Sequence, residues 1–248
     1  MVTSIPRWST ALGPLLAVVL AGCSTATPTS PTDARGVPRP VPQLSRTRFL
    51  AFGDSLTAGA TATAVVTRMS AGLPQSYPSK LLGLLSARYS QQTPVVENAG
   101  RPGERADGAG ERLNETVRLT KPETVIILHG ANDIFADGAA GVPRAISAMQ
   151  VLVRIAKLGG DSVLLCTLPP QRAGAQRAAN PVAWRELNRG IREIARNEEV
   201  LLIDLATGLD LSLIGVDGLH PTENGYMRLA ELLFASLRAQ FEHPPPMH

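Results

Sequence analysis

Thr124-Val125-Ile126-Ile127-Leu128-His129, followed at once by Gly130-Ala131-Asn132-Asp133, is the stretch from which the fold can be read. Four consecutive aliphatic residues with no polar alternation cannot be a strand with one wet face. A run this short that ends on a glycine instead suits a parallel strand covered on both sides. Working outward, the same signature recurs. Arg48–Phe52 and Pro94–Asn98 precede it, and Ser162–Thr167 and Val200–Asp204 follow. Between these runs apolar residues return at helical spacing: Pro78–Tyr89, Glu104–Leu119, Val142–Leu158, Pro181–Arg196 and Pro221–Phe241. Gly159-Gly160 reads as a stop, and Thr222 as an N-cap before the last helix. Strand and helix in alternation predict a three-layer α/β/α sandwich around a five-stranded parallel sheet. In such sheets ligands meet the carboxyl ends of the strands.

The chain has 248 residues, 44% of them hydrophobic and 4% aromatic, with a formal net charge of +3. That suits one α/β domain with ample core. No basic run interleaved with aromatics occurs, so nucleic acid is not an expected partner. Of the two cysteines, Cys166 lies in an apolar strand and reads as an inert core thiol. No disulfide framework follows from the pair.

Met1–Gly22 carries one positive charge, Arg7, and an apolar run from Ala11 to Leu20 that is too short for an ordinary span and reads as a secretory signal. Leu20-Ala21-Gly22-Cys23 resembles the lipobox of bacterial lipoproteins. That resemblance implies lipidation at Cys23, which would anchor an exported protein to a membrane of the cell envelope. Residues 23–46 are rich in Pro, Ser and Thr and read as a tether. This sets the expected domain at 47–242 and a tail at 243–248.

Four motifs fall just past predicted strands. Gly53-Asp54-Ser55-Leu56 follows the first and exposes a hydroxyl that is a weak nucleophile unless a base takes its proton. Asn98-Ala99-Gly100-Arg101-Pro102-Gly103 follows the second, where glycine lets backbone N–H groups approach a ligand. Gly130-Ala131-Asn132-Asp133 follows the third and offers an amide N–H₂ as an oxyanion donor. Asp217-Gly218-Leu219-His220-Pro221 follows the fifth. There a carboxylate three residues from an imidazole can hold Nδ1 and leave Nε2 as base. Singly, each has a plainer reading as a helix cap or an ordinary turn. Jointly, in chain order and each past a different strand, they do not.

These blocks resemble the SGNH/GDSL hydrolase family of esterases and lipases across Thr47–Phe241, and Ser76–Leu81 resembles the opening of that family's first long helix. The resemblance implies the family's flavodoxin-like sandwich and serine-dependent hydrolysis of carboxylic esters, whether of small molecules, lipids or glycans. It implies Ser55 as nucleophile, Asp217 and His220 as acid and base, and the Ser55 N–H, Gly103 and Asn132 as the oxyanion hole. Gly100 competes with Gly103, but the family's spacing selects Gly103. No zinc-spaced cluster or phosphate-cradling loop is present, so neither metal nor cofactor is expected. Two other readings stand beside hydrolysis: a non-catalytic glycan- or lipid-binding envelope lipoprotein, and an O-acyltransferase on the same site. Ala58–Pro74 is longer than in small family members and is a candidate pocket wall. His129 is read as a hydrogen-bonded histidine in or near the core, and His243 and His248 as tail residues.

Overall fold

In the computed structural model residues 41–62, 73–160 and 162–243 are described, all of them within one unit. The signal segment, Cys23, most of the tether, Val65, Val66, Met69 and His248 lie outside these residues.

The chain runs β1 (Gln43–Leu44), β2 (Arg48–Gly53), α1 (Ser55–Ala58), α2 (Tyr77–Arg88), β3 (Val95–Gly100), α3 (Gly110–Thr120), β4 (Thr124–Leu128) and α4 (Ala131–Asp137). It continues through α5 (Val142–Gly159), β5 (Ser162–Cys166), α6 (Pro181–Asn197), β6 (Leu201–Ile203), α7 (Leu205–Gly208), α8 (Glu223–Phe241) and β7 (Glu242–His243). Short 3₁₀ turns lie at Ala106–Gly108, Gly138–Gly141 and Leu211–Leu213. The five strands β3-β2-β4-β5-β6 form one sheet, every pair parallel. Helices α2 and α8 pack together, while α3, α5 and α6 pack in series as a second layer. This is the three-layer α/β/α sandwich expected from the sequence.

All five residues of β4 are buried, as its unbroken apolar run requires. Each aliphatic side chain so covered contributes about 1.5–3 kcal/mol relative to exposure. Helix starts follow local chemistry. The Asn180 side chain accepts from the Val182 N–H at 2.8 Å with Pro181 in the first turn, and the Thr222 hydroxyl accepts from the Gly225 N–H at 3.1 Å. No helix among the described residues is long and apolar enough to cross a membrane.

The register places the functional loops. Gly53, the last residue of β2, is level with Gly100 of β3 on one side and Leu128 of β4 on the other. The loops after these three strands therefore leave the sheet side by side.

Several strand and helix ends shift by one or two residues from expectation, and three differences have structural consequences. Gln43–Leu44, counted as tether, pair antiparallel with Glu242–His243, and Leu44 is buried in the core. Apolar burial of Leu44 and a bidentate Arg88–Glu242 pair at 2.6 and 2.7 Å fasten these two short strands to the core and to α2. His243 accordingly lies in β7 rather than in a tail. The helix expected from Glu104 begins only at Gly110, because the Ala106 and Asp107 N–H groups donate to the Asp133 carboxylate at 2.9 and 3.3 Å. Glu104 thereby stays in the loop, where it has other partners.

Candidate active site

The turn that carries Ser55 is built by its neighbours. Asp54 caps α1, one carboxylate oxygen accepting from the Leu56 N–H at 2.9 Å. Two buried tyrosines brace the same turn. The Tyr226 hydroxyl donates to the Ala60 carbonyl at 2.5 Å, and the Tyr77 hydroxyl lies 3.2 Å from Thr57 Oγ1. Burial pushes both phenols well above their ordinary range, so both remain protonated.

Asp217–Pro221 lies in the loop that leads into α8. The His220 Nε2 is 2.9 Å from Ser55 Oγ, and His220 Nδ1 is 2.5 Å from Asp217 Oδ2. The second Asp217 oxygen accepts from the Leu219 and His220 N–H groups at 3.1 Å each. With Nδ1 protonated toward the carboxylate, Nε2 faces the serine hydroxyl as an acceptor. Burial alone would raise the Asp217 carboxyl. The hydrogen bond from His220 and the two backbone N–H groups overcome this and hold it below the usual range, so it stays charged. Ser55 and His220 are 5% and 7% exposed, nearly enclosed yet reachable.

Asn132 sits in the first turn of α4, also 7% exposed. Its amide nitrogen donates to the Glu104 carbonyl at 2.8 Å and lies 3.4 Å from the Asp54 Oδ2. The two candidate glycines separate by geometry. The Gly100 N–H is taken by the Asn98 side chain at 3.0 Å, and a Cβ on Gly100 would lie 2.1 Å from the Ala58 nitrogen. Gly100 is therefore a close-packing residue beneath α1. Gly103 has φ +76°, and among the described residues a Cβ on it would meet nothing within 4 Å, so it is a turn residue open to its described surroundings.

Beneath these groups lies a buried polar cluster. His129 is fully buried, as expected of a core histidine. Its Nδ1 accepts from the Gly130 N–H at 3.0 Å and its Nε2 therefore donates to Glu104 at 3.1 Å. Arg112 also donates to Glu104, its Nε to Oε1 at 2.8 Å and its Nη2 to Oε2. Burial works against the Glu104 carboxylate, but the His129 and Arg112 hydrogen bonds hold it down at about 2. Asp54, with fewer donors, is pushed up by its burial. Asp54, Glu104, Arg112 and Tyr226 carried no periodic or spacing signal in the sequence that marked them as neighbours. Among the described residues no group of three His, Cys, Asp or Glu is arranged to hold a metal ion.

An open cavity of about 510 Å³ adjoins His220, lined by Thr61, Gln75, Val216, Pro221, Thr222 and Glu223. Its wall meets the backbone of the base: Pro221 follows His220 in the chain, and the Gly215 N–H donates to the His220 carbonyl at 2.8 Å.

A sequence model described as the GDSL-like lipase/acylhydrolase family matches residues 51–228. Among solved structures the chain is similar to a lipase/acylhydrolase from Enterococcus faecalis, with 26% identity and a TM-score of 0.65 over 81% of this chain and 98% of that one. It is similar in fold to an acetylxylan esterase from Geobacillus stearothermophilus, at 21% identity and a TM-score of 0.62 over 78% and 95% of the two chains. It is also similar in fold to an alpha/beta hydrolase from the metagenome of Lake Arreo, Spain, at 18% identity and 0.63 over 77% and 94%. A comparison with curated proteins finds no match.

Proposed function

This chain belongs to the GDSL-like lipase/acylhydrolase family, and from that premise we propose that it hydrolyses carboxylic esters through an acyl-enzyme on Ser55. The observation that carries the reading is the unbroken relay from Asp217 to His220 to Ser55, at 2.5 and 2.9 Å.

In the proposed reaction His220 Nε2 takes the Ser55 proton as Oγ bonds to the carbonyl carbon. The carbonyl π electrons move to oxygen and leave a tetrahedral oxyanion. The Ser55 and Gly103 N–H groups and the Asn132 amide bind it, the amide keeping its hydrogen bond to the Glu104 carbonyl and turning its second hydrogen from the longer 3.4 Å bond to Asp54 Oδ2 onto the oxyanion. Each such donor lowers the barrier by about 2.7–4 kcal/mol. As the intermediate collapses, the bond to the alcohol oxygen breaks and His220 Nε2–H protonates that oxygen. Water, deprotonated by the same nitrogen, then repeats the attack on the acyl-enzyme and frees the acid and Ser55.

The alcohol leaves on the side of the group that protonates it. We assign the cavity lined by Pro221, one residue on from the base, to the leaving group; beside apolar Val216 and Pro221 it presents Thr61, Gln75, Thr222 and Glu223, which offer polar groups to a hydroxylated alcohol. We assign short-chain acyl esters of such alcohols as the preferred substrates. The test is an ester panel varied in acyl length and alcohol, run beside Ser55→Ala and with a fluorophosphonate probe. Ser55-dependent labelling and turnover are expected, fastest for acetyl or butyryl esters. Absence of Ser55-dependent labelling would favour a non-catalytic binder, and faster long-chain turnover would refute the acyl preference. Product analysis with a competing alcohol separates hydrolysis from acyl transfer.

The lipobox-like Leu20–Cys23 supports a proposal that the mature chain is held at a membrane through a lipidated Cys23. Cys23→Ser should release the protein from membranes with activity intact. Unchanged membrane retention would count against the anchor.

A further inference from the structure

Among the described residues a Cβ on Gly103 would meet nothing, and its loop is held through its neighbours: the Arg101 N–H donates to the Gly53 carbonyl at 2.9 Å and the Ala106 N–H to the Asp133 carboxylate at 2.9 Å. The adjoining Glu104 is held by four residues. Its carboxylate accepts from Arg112, from His129 Nε2 at 3.1 Å and, at 3.3 Å, from the Arg101 guanidinium. Its backbone N–H closes the turn on the Arg101 carbonyl at 3.1 Å. Its backbone carbonyl takes the Asn132 amide at 2.8 Å. Arg112 is itself fixed to the sheet. It donates to the Ala99 carbonyl at 2.8 Å and the Gly53 carbonyl at 3.2 Å, and its guanidinium lies 3.9 Å over the Phe52 ring. One residue therefore links the carboxyl ends of β2, β3 and β4 to the first turn of α4.

We infer that Glu104 is a positioning residue that sets two oxyanion donors at once, the Gly103 N–H through the shared turn and the Asn132 amide through its carbonyl. The inference rests on the acyl-enzyme reading above. Glu104 touches no reacting atom. It works because a side chain held by His129 and Arg112 leaves its own backbone little freedom, and that backbone carries one donor and aims the other. A donor misplaced by about 1 Å can cost about a hundredfold in rate, and a donor lost outright about 10²–10³.

The test uses Glu104→Ala and Glu104→Gln in the full chain, beside wild type and Ser55→Ala. Steady-state kinetics on a short-chain nitrophenyl ester, inhibition by an alkylboronic acid that forms a tetrahedral adduct on Ser55, and thermal melting are measured together. Glu104→Ala should lower kcat about a hundredfold with KM within about threefold of wild type, and weaken the boronate in parallel. Glu104→Gln, which keeps an acceptor for His129, should fall about tenfold. Glu242→Ala serves as the control, since it removes another arginine-paired carboxylate far along the chain from the site. It should lower the melting temperature with kcat unchanged. If Glu104→Ala does not fold, Glu104→Gln decides alone. A kcat within threefold of wild type in the folded Glu104 variants overturns the inference. So does a kcat loss without weaker boronate binding, or a KM rise that matches the kcat loss. A wild type with no Ser55-dependent turnover overturns the functional reading itself, and the Glu104 role with it.

Discussion

Replacing Asp217 by asparagine changes one atom and should nearly silence the site without unfolding it. The Asp217 Oδ1 accepts two backbone N–H groups at 3.1 Å, so the introduced amide will keep its oxygen there. Its nitrogen must then take the place of Oδ2, 2.5 Å from His220 Nδ1. Two N–H groups cannot face each other, so the imidazole shifts its proton to Nε2. That nitrogen then donates to Ser55 Oγ instead of accepting from it, and the hydroxyl has no base. A wrong tautomer of this kind costs about 10⁴ in rate, or about 5 kcal/mol in the barrier. Stability should fall by no more than about 1–2 kcal/mol, because the two turn hydrogen bonds persist. Asp217→Ala should be comparably slow but less stable by about 2 kcal/mol more, since it leaves the Leu219 and His220 N–H groups without their acceptor. The assay is kcat/KM on a short-chain nitrophenyl ester, with denaturant unfolding of the same preparations. An asparagine variant within tenfold of wild type, or one whose activity loss tracks unfolded protein, would refute the reasoning.

Other consequences follow from specific contacts. Gly100→Ala places a Cβ 2.1 Å from the Ala58 nitrogen under the nucleophile's turn and should cost more than about 3 kcal/mol or prevent folding; Gly103→Ala meets no atom of the described residues and should cost only about 1 kcal/mol of backbone strain. Urea unfolding of the two variants checks the order, and the reverse order would contradict these roles. Glu104 titrates at about 2 when folded against an ordinary 4.5, so the folded state binds its proton less readily. Its contribution, up to about 3 kcal/mol, is complete above pH 4.5 and is lost as pH falls toward 2. Glu104→Gln should flatten the melting temperature between pH 5 and pH 2.5, and an unaltered slope would contradict the assignment. Burial pushes the Cys166 thiol well above its ordinary range, so iodoacetamide should modify Cys166 only after unfolding.

The centre of the sheet was legible because β2, β4 and β5 are buried on both faces, whereas the edge strands β3 and β6 are partly exposed. Runs such as Thr124–Leu128 and Ser162–Cys166 have no polar alternation, and parallel strands alone tolerate that. The relay was legible because Asp217 and His220 lie three residues apart on one turn and Ser55 follows a strand end. What escaped is short or long-range. Helices of four to seven residues, α1, α4 and α7, are too brief to show a 3.6-residue period. The pairing of β1 with β7 joins residues about 200 apart in sequence, and two-residue strands carry no pattern. Glu104 resembled one more charged residue opening a helix. Only the fold brings Arg112 and His129 to it, eight and twenty-five residues away.

The central claim is that one hydroxyl, one imidazole–carboxylate couple and three N–H donors meet around a single carbonyl. The crystal structure of an alkylphosphonate adduct tests it most directly, since the phosphoryl oxygen stands where the oxyanion would form. The account predicts phosphorus bonded to Ser55 Oγ, with that oxygen about 2.7–3.1 Å from the Ser55 N–H, the Gly103 N–H and the Asn132 amide nitrogen. A phosphoryl oxygen turned away from Gly103 and Asn132, or an adduct on any other residue, would contradict it.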